Sequence, residues 1–217
     1  MLPEQATLDR DRWMDLWSRL GAQGGGSSIF ANLVVAYAEP ARAYHTAAHI
    51  QDCLAQLDLS RAMASRPDDV EAAIWFHDAV YVPGGSDNED RSARLAQTAL
   101  LACGAPPDTS RHISELVLAT RHLTVPRDPD AQLLCDIDLS ILGREPEIFD
   151  EFERRIRREY HWVPDPAYRM ARSEVLNGFL GRQSIYQTEY FRTRYETRAR
   201  TNLERVLSRL GQGVQRE

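Results

Sequence analysis

The stretch VEAAIWFHDAVY, residues 70–81, predicts a helix that carries ionisable side chains inside an apolar stripe. At about 100° per residue, four side chains share one side of this helix: Val70, Ile74, His77 and Tyr81. Asp78 lies on the flank of the stripe. Polar groups on a buried face destabilise a fold unless they have partners. The stretch therefore predicts both a core helix and a candidate functional site.

Similar spacing recurs along the whole chain, whereas the alternation that is typical of half-buried strands is almost absent. Ten segments show the helical pattern: 13–20, 30–37, 46–57, 70–81, 86–103, 113–120, 134–143, 149–160, 167–180 and 188–210. The segment 86–103 opens with Ser86 and Glu89, the spacing of a capping box. We expect an all-α fold with a single domain over residues 1–217 and a core at about 27–210.

Composition excludes several classes of protein. The chain has 217 residues, of which 43% are hydrophobic and 27% charged, as in ordinary globular proteins. The net charge of −6 argues against nucleic-acid binding driven by global charge. No stretch approaches about 18 apolar residues, and residues 1–13 show no secretory signal. The three cysteines, Cys53, Cys103 and Cys135, are far apart, which favours inert reduced thiols in a cytoplasm.

A second acidic segment, CDIDLSILG at residues 135–143, also lies in an apolar context. The helical wheel places Asp138 within the arc of Ile137 and Ile141, and Asp136 on the opposite side. We therefore expect Asp138 to be the buried carboxylate. A buried carboxylate needs neutralisation or a partner, and a metal cation would supply one.

Histidines offer the remaining ligands for such an ion. His45 and His49 are four residues apart, and His77 adjoins Asp78. Imidazole suits Zn, Fe, Ni, Co or Mn, and carboxylates also suit harder ions such as Mg. The pattern indicates a divalent metal site built from two histidines and two aspartates on three helices.

These residues resemble the HD superfamily of metal-dependent phosphohydrolases, which is named for its adjacent His and Asp. The family's first histidine is similar to His49 in HIQDCL, and its doublet to His77 and Asp78 in AAIWFHDAVY. Its distant aspartate fits Asp138, because CDIDLSILG resembles the family's DADxLxxLG pattern.

A narrower likeness is to a bacterial group of predicted HD phosphohydrolases, from about Arg42 to Leu203. It depends on the segments YHTAAHI, WFHDAVY, SDNEDRSA, CDIDLSILG and RQSIYQTEYFRTRYETRARTNL. The resemblance implies a helical bundle with a metal in a central cleft. It also implies hydrolysis of a small phosphorylated metabolite, with a nucleotide favoured.

The resemblance further implies how such a site works. His49, His77, Asp78 and Asp138 would hold one or two divalent ions, with open positions for water and a phosphoryl oxygen. Asp78 would also take part in catalysis by bridging two ions. Glu89 would assist water or the leaving group, although its place in a capping box gives it a structural alternative.

Four further residues are candidates for contacts with substrate. Arg42 would clamp a phosphate with its planar fork of donors. His45 would hold substrate or support a metal ligand, and His122 would contact phosphate or a second metal, with His112 a weaker choice. A homodimer is left open, as are a di-iron oxygenase, which would draw on His161 as well, and a sensor that binds a nucleotide without turnover.

Overall fold

The computed structural model describes residues 7–212, and these form α-helices and short 3₁₀ helices with no β-strand among them. The prediction of an all-α fold is confirmed. The ten α-helices are α1 (Arg10–Arg19), α2 (Gly26–Tyr37), α3 (Ala47–Ser60), α4 (Pro67–Phe76), α5 (Asn88–Ala102), α6 (Pro107–Ala119), α7 (Pro129–Asp138), α8 (Pro146–Glu159), α9 (Asp165–Leu180) and α10 (Glu189–Gln212). Two 3₁₀ helices cover Arg61–Met63 and Leu139–Gly143. Residues 1–6, part of the segment that shows no secretory signal, lie outside the described residues.

The chain divides into two compact units, Met1–Ile137 and Asp138–Glu217. The single domain expected over residues 1–217 stays a prediction. None of the helices in residues 7–212 combines the length and apolar character that crossing a membrane requires.

In the first unit, tryptophans of α1 pack against the glycine-rich segment that follows it. The Trp13 Nε1–H donates to the carbonyl of Gly26 at 2.8 Å, and the Trp17 Nε1–H to that of Gly24 at 2.8 Å. A Cβ at Gly26 would lie 2.7 Å from Trp17 Cδ1. The chain therefore needs glycine for this close approach, and α2 starts at Gly26, four residues before the helical pattern predicted at residues 30–37.

Helices α3 and α4 carry the predicted inward faces. Helical spacing places four apolar side chains of the predicted segment 46–57 on one face, and α3 buries all of them: Ile50, Cys53, Leu54 and Leu57. Helix α4 ends at Phe76, so the prediction that it continues to Tyr81 is wrong. His77 is its C-cap, with the His77 N–H still bonded to Ala73 at 2.9 Å, and the chain then turns through a bond from the Ala79 N–H to Phe76 at 2.9 Å. The apolar spacing therefore extended past a turn that periodicity does not detect.

The start of α5 also differs from the prediction. The N-cap is Asp87 rather than Ser86, and no side chain caps the helix. Instead, the Asn88 amide closes the preceding loop: its Nδ2–H donates to the carbonyl of Val82 at 3.0 Å, and its Oδ1 accepts from the Val82 N–H at 3.0 Å. The prediction of a capping box at Ser86 and Glu89 is wrong, because the hydrogen bonds of Asn88 fix this turn instead.

The second unit contains α8, α9, α10 and the 3₁₀ helix Leu139–Gly143. Buried polar side chains satisfy the carbonyls of that 3₁₀ helix: the Tyr186 hydroxyl donates to Leu139 at 3.0 Å, and Asn202 Nδ2–H to Leu142 at 2.9 Å. Helix α10 buries Leu203 and Val206, as its spacing predicts. These contacts fix the segment that directly follows Asp138.

Candidate metal centre

Two buried histidines meet where α3 and α4 approach each other. His49 lies in the first turn of α3, and His77 is the C-cap of α4; the two side chains are almost inaccessible to solvent. Their Nε2 atoms are 3.1 Å apart. Two nitrogens that are each about 2.1 Å from one ion, at tetrahedral or octahedral angles, are about 3.0–3.4 Å apart. The separation fits shared coordination of a metal.

The backbone orients His77 for this role. The Nδ1–H of His77 donates to the carbonyl of Ile74 at 2.9 Å. In the neutral ring this bond leaves the lone pair on Nε2, the atom that faces His49. Metal-bound histidines characteristically hold their second nitrogen in this way.

Asp78 contributes a carboxylate to the same place. Its Oδ2 lies 3.1 Å from His77 Nε2 and 3.6 Å from His49 Nε2. Burial alone would raise the pKa of Asp78, but the neighbouring His77, His45 and His49 outweigh that effect and hold the pKa well below its usual value. The carboxylate is therefore ionised and ready to bind a cation.

Asp138, the last residue of α7, also reaches the histidines. One ligand atom from each of His49, His77 and Asp138 lies within 4.8 Å of the others. Asp138 is nevertheless half-buried, whereas Asp136 is completely buried, so the predicted order of burial is wrong. The wheel failed here because five consecutive residues of α7, 133–137, are all buried and the helix has no single inward face.

Arg42 lies beside this cluster, but its donors already have partners. Its side chain is buried and donates to the carbonyls of His45, Asp78 and Ala79, and to the Glu39 carboxylate. These contacts indicate that Arg42 positions the backbone. They argue against the phosphate contact that the sequence predicts.

His45 precedes α3, so it does not share the helical face of His49 that the i, i+4 spacing indicates. Its half-buried ring lies 4.3 Å from the Tyr81 ring at 31° and 5.9 Å from the His49 ring. It therefore borders the cluster, and its role in holding substrate or a metal ligand stays a prediction.

The structure does not bring the other candidates into the group formed by His49, His77 and Asp138. Glu89 is half-buried in the first turn of α5, and His122 lies three residues after α6 with a φ of 56°, a conformation rare for a non-glycine residue. His112 belongs to a different cluster, with Asp128 and Asp130. The catalytic and substrate roles of Glu89 and His122 stay predictions.

Two neighbours of His49 were missed from the sequence. Cys53 Sγ is 3.7 Å from His49 Nε2, and the Tyr44 ring is 4.8 Å from the His49 ring. The spacing of four residues between His49 and Cys53 is a signal that could have identified the thiol, because such residues share a helical face. Tyr44 precedes α3 and gives no comparable signal.

No family model matches the chain, and the searches of curated proteins and of solved structures found no similar protein.

Proposed function

We propose that this protein is a metal-dependent phosphohydrolase of the HD type that acts in the cytoplasm on a small phosphorylated metabolite, with a nucleotide as the favoured substrate. The observation that carries the proposal is the convergence of His49, His77 and Asp138, with Asp78 in contact with both histidines.

The chemistry of the donors fits a divalent ion. Two imidazoles and two carboxylates suit Mn, Fe, Co, Ni or Zn, and the carboxylates accommodate Mg. When bound, such an ion supplies Lewis-acid activation of water and of a phosphoryl group near neutral pH. His49, His77, Asp78 and Asp138 would hold it.

The protein's own residues would do the remaining work. The ionised Asp78 offsets positive charge at the site, and the Ile74 carbonyl keeps the His77 ring in place. Glu89 is the candidate for moving a proton to or from water or the leaving group. His45, whose ring packs at a tilt against that of Tyr81, and His122 are the candidates for substrate contacts.

A phosphate-release assay on purified protein tests the proposal. The protein is stripped of metal, reloaded separately with Mn, Mg, Co, Ni, Fe or Zn, and assayed with nucleotides and sugar phosphates. We expect metal-dependent release that His77→Gln abolishes and that His112→Gln, a matched histidine variant in the same unit, retains.

Release that is equal with and without metal would contradict the proposal, and so would full activity in His77→Gln. Oxygen consumption by the iron-loaded protein without phosphate release would instead support the di-iron oxygenase. A nucleotide that stabilises the protein and remains chemically unchanged in the presence of metal would support the sensor.

A further inference from the structure

The Arg42 guanidinium is a buried cation whose partners are mainly backbone carbonyls. Its side chain has no exposure to solvent, and the carboxylate of its ion pair, Glu39, is about half exposed. The Arg42 Nε–H donates to Glu39 at 3.1 Å, while Nη1 and Nη2 are bonded to carbonyls. A guanidinium has five N–H donors, so four of them are committed within the protein.

The carbonyls that Arg42 binds belong to the segment that carries the metal ligands. Nη1 donates to the carbonyl of Asp78 at 2.6 Å and Nη2 to that of Ala79 at 3.2 Å. Both carbonyls belong to the turn within three residues after the C-terminal end of α4, where a cation is favoured. Arg42 thus fixes the turn that begins at His77.

The same guanidinium also holds the segment that leads into α3. Its Nη1 donates to the carbonyl of His45 at 3.1 Å, four residues before His49. One rigid, planar group therefore ties the backbone on both sides of the contact between His49 and His77. A lysine ammonium in its place has three donors on a single nitrogen and lacks this planar fork.

Two aromatic rings keep the guanidinium in place. Its central carbon lies 5.2 Å from the centre of the Tyr37 ring and 5.4 Å from that of Tyr81, within the range of a cation–π contact. The Tyr37 hydroxyl in turn donates to the carbonyl of Trp75 at 2.9 Å, within α4. The rotamer of Arg42 is therefore determined by packing as well as by hydrogen bonds.

We propose that Arg42 is a positioning residue: it sets the distance between His49 and the pair His77–Asp78, and thereby the affinity of the site for a divalent ion. This inference rests on the proposed function, because it assumes that these residues hold the ion. In this inference, Arg42 positions the metal ligands and does not bind the phosphate of the substrate.

The test uses the full chain stripped of metal and titrated with Co²⁺, whose visible absorption reports the ligands directly. The variants are Arg42→Lys and Arg42→Met, with Arg12→Met as the control. Arg12 is a partly buried arginine of the same unit that pairs instead with Asp58 and Glu71. Near-ultraviolet circular dichroism and chemical unfolding establish that each variant is folded.

We expect both Arg42 variants to bind Co²⁺ about 10–100-fold more weakly than the unchanged protein, the range for substitutions of groups that orient metal ligands. Their absorption bands should also change, whereas Arg12→Met should keep both affinity and spectrum. Methylguanidinium should restore part of the affinity of Arg42→Met and none of that of His77→Gln.

Folded Arg42→Lys with unchanged Co²⁺ affinity and spectrum would overturn the inference, and so would a rise in KM for substrate as the only effect, because that is the signature of a phosphate clamp. If Arg42→Met does not fold, Arg42→Lys decides the question alone. Failure of the proposed function looks different: the unchanged protein would not bind Co²⁺, or His77→Gln would bind it equally well.

Discussion

Within residues 7–212, two clusters bring histidine and carboxylate atoms within ligand distance of one another. The doublet cluster comprises His49, His77, Asp78 and Asp138. The helix-cap cluster comprises Asp69, His112, Asp128 and Asp130. In each cluster, three residues offer ligand atoms that lie within 4.8 Å of one another: His49, His77 and Asp138 in the first, and His112, Asp128 and Asp130 in the second. Distance alone therefore does not distinguish the two clusters.

What distinguishes them is the set of groups that each carboxylate already binds. In the helix-cap cluster, Asp130 accepts from the N–H groups of Ser65 and Arg66 at 2.7 and 2.8 Å, where α4 begins. Asp128 accepts from the N–H groups of Asp130 and Ala131 at 2.7 and 3.1 Å, where α7 begins. These bonds satisfy helix N–H groups that have no partner within the helix.

Nitrogen atoms of two side chains also contact a carboxylate of the helix-cap cluster. Asp69 Oδ2 lies 2.8 Å from Arg66 Nε and 2.7 Å from His112 Nδ1. In the doublet cluster, by contrast, Asp78 faces the two Nε2 atoms that also face each other. Histidines and aspartates at similar distances therefore form a helix junction in the helix-cap cluster and a candidate metal centre in the doublet cluster.

The largest expected effect separates the clusters by metal affinity. His77→Gln should weaken binding of Mn²⁺ or Co²⁺ by more than about 100-fold, since even groups that only orient a ligand contribute about 10–100-fold. His112→Gln should stay within about twofold of the unchanged protein. Isothermal titration calorimetry on both variants checks the contrast, and a larger loss in His112→Gln would reverse it.

A second effect separates the clusters by stability. Asp130→Ala should lower the free energy of unfolding by about 2–4 kcal/mol, because two partly buried N–H groups lose their acceptor. Urea denaturation of metal-free protein measures this loss. Glu115→Ala, an exposed acid on α6, is the control and should change stability by no more than about 0.5 kcal/mol. A loss of less than about 1 kcal/mol in Asp130→Ala would mean that the helix-cap cluster is not a structural junction.

The smallest expected effect concerns pH. Burial raises the pKa of Asp69 above its ordinary 3.8, even though His112 and Arg66 act in the opposite direction. For a carboxyl whose pKa is raised by folding, the stability it contributes is complete below the unfolded pKa and is lost as pH rises through the folded pKa. Asp69→Asn, which does not titrate, should therefore gain stability relative to the unchanged protein as pH rises through the acidic range.

Urea unfolding of both proteins at several values between about pH 3 and pH 7 measures that difference. A difference that is constant with pH, or that changes in the opposite direction, would show that Asp69 does not titrate as this environment requires. Metal affinity should be the same in Asp69→Asn and the unchanged protein, because Asp69 belongs to the helix-cap cluster.

The sequence predicts much of the fold because burial follows helical spacing where a helix has one inward face. Helix α3 is an example: its start after Thr46 and its buried Ile50 and Leu57 all follow from spacing. The position of His49 on α3 is likewise predictable from the local sequence. Its approach to His77 is expected only from the resemblance to the HD superfamily, because the need of a buried polar group for a partner does not specify which residue supplies it.

Periodicity predicts the structure less well where backbone geometry, or contacts with residues distant in sequence, determine the conformation. The turn after Phe76 depends on carbonyl contacts with Arg42, which is more than thirty residues earlier in the chain. Asp136 is buried because α7 is covered on several sides, a property of packing and not of spacing. The helix-cap role of Asp130 likewise depends on N–H groups of residues 65 and 66.

The central claim is that His49, His77, Asp78 and Asp138 hold one divalent ion, and crystals grown with Zn²⁺ test it most directly through anomalous scattering. We predict a peak within about 2.0–2.2 Å of the Nε2 atoms of His49 and His77, with carboxylate oxygens of Asp78 and Asp138 completing the site. A map with no peak there, or with its strongest peak at His112, would contradict the assignment.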